Sequence, residues 1–189
     1  MKIGLLGGLR VEHEGRAVEV GGAMQLAVLF RLAVDAGTAV SYRAIAEDIW
    51  GADAPENTRA ALQSIVSRLR SQLPSGVIES TVGGYRLAIG RADVDALVFA
   101  DMIAEASVAG ASAAPRLASE ALGIWGGDPW IPSENFDWFE RDLRRDHAAA
   151  IDLGGVASAR AAASPIPVPL TSLIGRDDEL AMIADQLAN

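Results

Sequence analysis

Asn57-Thr58-Arg59-Ala60-Ala61-Leu62-Gln63-Ser64-Ile65-Val66-Ser67-Arg68-Leu69-Arg70-Ser71-Gln72-Leu73-Pro74 is the most telling segment of the chain. Leu62, Ile65, Val66, Leu69 and Leu73 recur at spacings of 3, 4, 7 and 11, which places one apolar stripe along an α-helix. Asn57 supplies a side-chain oxygen suited to capping the first turn. At about 100° per residue the opposite face collects Ala60, Ser64, Ser67 and Ser71, with Gln63 and Arg68 on its shoulders. The segment holds Arg59, Arg68 and Arg70 and no acid. Its outward face is therefore small, polar and locally basic. A merely solvated helix face has the same appearance, and Arg59 and Arg70, on one flank, could equally pair with Glu47 or Glu56.

On the C-terminal side of this helix, Val77 to Thr81 and Tyr85 to Ile89 read as two strands joined across Val82-Gly83-Gly84, a hairpin with a flexible tip. Upstream, Ser41 offers an N-cap to a short helix carrying Ile45 and Ile49 and ended by Gly51. Before it, Met24 to Asp35 is apolar almost all round and stops at Gly37, as a buried helix with a glycine cap would. Lys2 to Leu6, Leu9 to Glu14 and Arg16 to Val20, separated by Gly7-Gly8 and Gly15, read as a small antiparallel meander. Downstream of the hairpin the period is helical throughout. Phe99, Met102, Ile103 and Ala106 are followed by Leu117, Ala121, Leu122 and Trp125, and then by Phe136, Phe139 and Leu143.

The chain has 189 residues, 25 acidic and 16 basic side chains, a formal charge of −9 and no cysteine. The absence of cysteine excludes disulfide scaffolds, thiolate metal sites and cysteine nucleophiles, and fits a reducing cytoplasm. The longest apolar run, Ala23 to Val34, is interrupted by Gln25 and Arg31, too short and too polar to span a bilayer. The N-terminus has no secretory core, so a cytoplasmic protein with no membrane partner is expected. Acidity of the whole argues against nucleic acid, because phosphate contacts need surplus cations. Resolved by segment, that argument weakens. Residues 1–90 carry nine basic and nine acidic side chains, and all of the net charge lies beyond them.

Catalysis finds little support. His13 and His147 have no nucleophile arranged around them. Asp137, Glu140, Asp142 and Asp146 interleave with Arg141, Arg144 and Arg145 at helical spacing, a salt-bridged face rather than a metal site. Gly4-Leu5-Leu6-Gly7-Gly8 has the wrong spacing for a dinucleotide loop, and a P-loop is excluded because the one lysine is Lys2. No enzyme activity, cofactor or metal is expected. A helix with a small polar outer face can instead approach base edges in a major groove, where Gln63 and Arg68 reach bases or phosphates, and the hairpin behind it meets the adjacent backbone or minor groove.

Three runs carry a resemblance: Ile45-Ala46-Glu47-Asp48-Ile49-Trp50-Gly51, Ala61-Leu62-Gln63-Ser64-Ile65-Val66-Ser67-Arg68-Leu69-Arg70, and Gly84-Tyr85-Arg86-Leu87. As an ordered set they resemble the winged-helix DNA-binding domain of the OmpR/PhoB type, in the version found in the Streptomyces antibiotic regulatory protein family and its AfsR-like relatives. Asp93 to Leu153, with Ala121-Leu122-Gly123-Ile124-Trp125-Gly126-Gly127, is similar to the start of the bacterial transcriptional activator domain. The resemblance implies an α+β fold: a winged helix of a small antiparallel sheet, three helices and a β-hairpin wing over 1–90, then an all-α helical-hairpin segment over 93–153. A Gly, Ala, Ser and Pro-rich linker is expected over 154–170. A single amphipathic helix is expected over 171–189, where Leu173-Ile174-Gly175-Arg176-Asp177-Asp178-Glu179-Leu180 resembles the entry to an ATPase domain, so that the chain reads as a truncated or rearranged member.

The function implied is a sequence-specific DNA-binding transcriptional regulator, an activator, bound to double-stranded DNA as a homodimer. The carry-over assigns Gln63, Ser64, Ser67 and Arg68 to the groove and Arg70, Ser41, Arg43 and Thr81 to phosphates, with Arg86 on the wing. The loop Ala52 to Glu56 resembles the turn that touches RNA polymerase in this class, and is equally a plain acidic connector. Wings of this class often carry a basic residue before Gly-Tyr, whereas Val82-Gly83 stands here, which weakens the wing contact. The alternative is an interaction module that pairs with a full-length relative through its acidic helices and regulates it without productive DNA binding.

Overall fold

The computed structural model describes residues 1–162. Three strands open the chain, β1 (Lys2–Gly4), β2 (Arg10–His13) and β3 (Arg16–Ala17), paired antiparallel in that order. They are shorter than the expected runs, with the meander as expected. Helix α1 (Ala23–Val34) follows, then α2 (Tyr42–Trp50) and α3 (Thr58–Gln72). Both caps expected from sequence are present: Ser41 Oγ accepts from the Ala44 amide and Asn57 Oδ1 from the Ala60 amide, each at 3.1 Å.

The second sheet differs from expectation by one strand. Ala39–Ser41 forms β4, which pairs antiparallel with β6 (Gly84–Leu87), and β6 pairs with β5 (Ile78–Thr81), giving the order β4-β6-β5. The hairpin is thus the outer part of a three-stranded sheet. Gly84 makes it possible, since a Cβ there would lie 1.9 Å from the Val40 carbonyl oxygen. The turn is also held to α2, because the Tyr42 amide donates to the Gly83 carbonyl at 2.8 Å. Val82, at the tip, is fully exposed.

Beyond the wing come α4 (Asp95–Val108), α5 (Ala114–Leu122) and α6 (Asp137–Ala162). Helix α5 ends at Gly123, so Trp125 falls just beyond it. Helix α6 runs through residues 154–162, where a linker is expected; the alanines at 157, 159, 161 and 162 favour helix strongly enough to outweigh Gly154-Gly155. The rest of the expected linker and the expected helix over 171–189 lie outside the described residues. By its internal contacts the chain divides into Met1–Ser158 and Ala159–Asn189, and the interactions that position the site all belong to the first of these units.

Within Met1–Ser158, the winged helix and the helices after it share one core. Phe30 of α1 meets Trp130, Phe136 and Phe139 edge to face at centroid distances of 5.9, 4.9 and 5.4 Å. The Asp95 carboxylate accepts from the Leu5 amide at 2.6 Å and from Arg10 at 3.4 Å, tying the start of α4 to the first sheet. Residues 128–130 lie along 5–7, with the Trp130 amide donating to Leu5 and the Gly7 amide to Asp128. No described helix is long and apolar enough to cross a membrane.

Candidate nucleic-acid interface

Helix α3 turns its apolar stripe inward as its spacing requires. Leu62, Val66, Leu69 and Leu73 are buried and Ile65 is half-buried, packed against the α1 and α2 side of the core. Gln63, Ser64, Ser67 and Arg68 are all exposed on one continuous surface. Among the described residues the Arg68 guanidinium makes no ion pair and no hydrogen bond. The face is free of acid, so nothing on the helix itself competes for an incoming phosphate or base acceptor.

The other expected contacts are less uniform. Arg43 projects from the first turn of α2 with 87% of its side chain exposed, held loosely by Glu47 at 3.3 Å. Ser41 spends its hydroxyl on capping α2, so its part in any phosphate contact falls to the exposed turn it anchors. Arg86 faces outward from β6 and is paired across the strands with Glu79. Thr81, opposite Gly84 on the wing, has its hydroxyl oxygen buried and without a hydrogen-bond partner.

Arg70 has a different occupation from the one expected. Its Nε and one terminal nitrogen donate to the Ile78 carbonyl at 3.1 and 2.9 Å, and the same terminal nitrogen donates to Ser80 Oγ at 3.0 Å. The guanidinium also lies 5.8 Å from the Tyr85 ring centroid. It pairs with neither Glu47 nor Glu56, the partners its flank position suggested. Its work is to lash α3 to β5.

Behind this face stands an aromatic pair that spacing alone does not reveal. Tyr42 and Tyr85 meet edge to face at 5.3 Å, and Arg59 lies over Tyr42 at 5.3 Å. Burial, followed by the nearby Tyr42, pushes the Tyr85 hydroxyl above its ordinary pKa, against the pull of Arg70 and Arg59. The pair joins the N-terminus of α2 to the central strand of the wing sheet, so α2, α3 and the wing are held as one surface. The carboxylates of α6 pair with their own helix, Glu140 with Arg144 at 2.7 Å and Asp142 with Arg145 at 3.0 Å, as their spacing suggested.

No family model matches the chain. Three relatives are informative. The chain is 30% identical over 144 residues to the transcriptional regulator RedD of Streptomyces coelicolor, a match covering 69% of this chain and 41% of RedD. It is 32% identical over 136 residues to the regulatory protein AfsR of the same organism, covering 68% of this chain and 13% of AfsR. A solved structure of Mycobacterium tuberculosis EmbR in complex with a low affinity phosphopeptide superposes with a TM-score of 0.70 at 26% identity, covering 99% of this chain and 50% of that one. The chain thus spans less than half the length of RedD and a small part of AfsR. The winged-helix arrangement is common to this chain and EmbR.

Proposed function

Over about two thirds of its length the chain is homologous to regulators of the Streptomyces antibiotic regulatory protein family, and on that premise we propose that it is a sequence-specific DNA-binding transcriptional regulator. The observation that carries this reading is the exposed face of α3: Gln63, Ser64, Ser67 and Arg68, which has no ion pair among the described residues, with no acid among the four. Helix α3 enters the major groove, where small side chains allow close approach and Gln63 and Arg68 read base edges. Arg43 and the Ser41 turn meet phosphates on one side. Arg86 does so from the wing once it exchanges Glu79 for a phosphate oxygen. Arg70 and the buried Thr81 hydroxyl are left to the scaffold.

The protein acts in the cytoplasm as an activator, binding repeated half-sites as a homodimer, with the exposed Ala52–Glu56 turn available to RNA polymerase. It needs no catalytic residue and no cofactor for this. The whole-chain charge of −9 keeps non-specific DNA affinity low, so that occupancy depends on the correct site.

The test is a gel-shift titration of the full chain against the DNA upstream of its own gene and against random duplex of equal length. Preferential binding to the upstream DNA is expected, with Arg68→Ala costing about 1–3 kcal/mol and relaxing the preference at one base position. Equal affinity for both duplexes, or an Arg68→Ala variant indistinguishable from wild type, overturns the reading.

A further inference from the structure

Arg59 and Arg70 leave α3 on the same flank, eleven residues and three turns apart, and each lies over a tyrosine ring. Their remaining surroundings differ. The Arg70 guanidinium is taken up by Ile78 and Ser80, while that of Arg59 makes no ion pair and no hydrogen bond among the described residues. The two acids suggested by its flank position leave it uncompensated, because Glu47 is turned to Arg43 and Glu56, like Asp53, forms no ion pair among the described residues.

Nor does the helix gain from this cation. Arg59 is the second residue of α3, in the turn capped by Asn57, where a positive charge opposes the helix macrodipole. Tyr42 holds it in this unfavourable position by a cation–π contact, which fixes the guanidinium without neutralising it. Arg43 and Arg59 line one open recess of about 390 Å³, together with Tyr42, Ala46, Ala54 and Glu47, the carboxylate that pairs with Arg43. Arg43 has Glu47 beside it in this recess, whereas Arg59, pre-positioned at a cost to its own helix, has no carboxylate paired with it among the described residues and suits an anion supplied from outside.

We propose that Arg59 is a DNA-backbone contact, a residue that takes one phosphate of the duplex beside the groove that α3 enters; this rests on the reading of the chain as a DNA-binding regulator. Gln63 stands one turn further along the same flank, so the phosphate held by Arg59 borders the base edge that Gln63 reaches. Tyr42 is the positioning residue, keeping the planar guanidinium in place before DNA arrives and lowering the ordering cost of the contact.

The experiment uses the full chain, a duplex enriched by the wild-type protein from a random-sequence library, and a scrambled duplex of the same length, with binding followed by fluorescence anisotropy over a series of salt concentrations. Arg59→Gln is expected to weaken binding to both duplexes alike, by roughly tenfold, and to make the slope of log K against log salt shallower by about one. Its melting temperature is expected to equal or exceed that of wild type, because a charge opposing the dipole has gone. Arg59→Lys is expected to restore the slope with affinity between the two, since it keeps the charge and loses the flat stack. An unchanged affinity and slope in Arg59→Gln overturn the proposal. A loss confined to the selected duplex overturns it in favour of base reading, and a loss accompanied by a lower melting temperature overturns it in favour of a structural strut. If wild type binds neither duplex, the DNA-binding reading itself fails and takes this assignment with it.

Discussion

Arg70 reaches from the last turn of α3 to the Ile78 carbonyl, which accepts two N–H donors at 3.1 and 2.9 Å. Helix α3 and the edge strand of the wing are therefore joined by a side chain that sequence spacing places on the flank of the helix it shares with Arg59. A guanidinium can do this where an ammonium cannot, because its fork presents parallel donors to one carbonyl and a third donor to Ser80. Replacing Arg70 by Met keeps most of the stem and removes every donor. The expected loss is about 1.5–3 kcal/mol of unfolding free energy, the range for hydrogen bonds made by a charged group. Urea denaturation measures it; Arg70→Lys is expected to recover less than half.

The closeness of β4 and β6 makes a sharper prediction at Gly84. A methyl group there meets the Val40 carbonyl oxygen at 1.9 Å and the Ser41 Cα at 2.9 Å, both backbone atoms that cannot swing aside. Gly84→Ala should cost about 2–3 kcal/mol and loosen the wing. Gly83, next to it, has a positive φ of 86° and open space around it, so Gly83→Asn should cost well under about 1 kcal/mol. Equal penalties for the two variants, read from thermal melts, would show that the pairing of β4 with β6 is not what Gly84 serves.

What was legible in the sequence was local. The caps at Ser41 and Asn57, the stripe on α3 and the exposure of Gln63, Ser64, Ser67 and Arg68 follow from contacts within one or two turns, and such contacts leave a periodic trace. Strand β4 left none, being three residues long with a partner more than forty residues away in β6. The Arg70 bond was hidden for a different reason: its main acceptor is a backbone carbonyl, which every residue possesses. Equally hidden was the joining of 1–90 to the helices beyond, since Phe30, Trp130, Phe136 and Phe139 each fit the apolar pattern of their own segment and nothing local says they meet. Gly154-Gly155 misled in the opposite direction, marking an end that the alanines after it do not respect.

Tyr85 gives the stability a dependence on alkaline pH. Its hydroxyl titrates above the ordinary value near 10 in the folded chain, first because of burial and then because of Tyr42. The unfolded chain therefore loses this proton at lower pH than the folded one. The associated stability is fully present below pH 10 and declines as the pH rises from there through the folded value. Denaturation midpoints taken at a series of pH values on either side of 10 should fall on the alkaline side, and Tyr85→Phe should flatten that fall. Unchanged steepness in the variant would assign the decline to other groups.

Asp95 and Phe30 decide whether residues 1–90 can stand alone. Asp95 accepts from the amides of Leu5, Leu6 and Ala96 and from Arg10, so a carboxylate on the first turn of α4 closes the open edge of the first sheet. Phe30 is almost wholly buried, and its three aromatic neighbours all come from beyond residue 128. Cutting the chain after residue 92 would return that ring and part of α1 to water, at about 1.5–3 kcal/mol for each large side chain uncovered. A domain of this size has a total stability of only about 5–15 kcal/mol, so two or three such exposures are a large share of it. Residues 1–158 should therefore melt in a single transition, with Asp95→Ala lowering it by about 1–3 kcal/mol, while residues 1–92 should melt much earlier or expose enough apolar surface to bind a hydrophobic dye. Two separate transitions in 1–158, or a 1–92 fragment as stable as the longer chain, would mean that the shared core around Phe30 contributes little and that the winged helix is an independent unit after all.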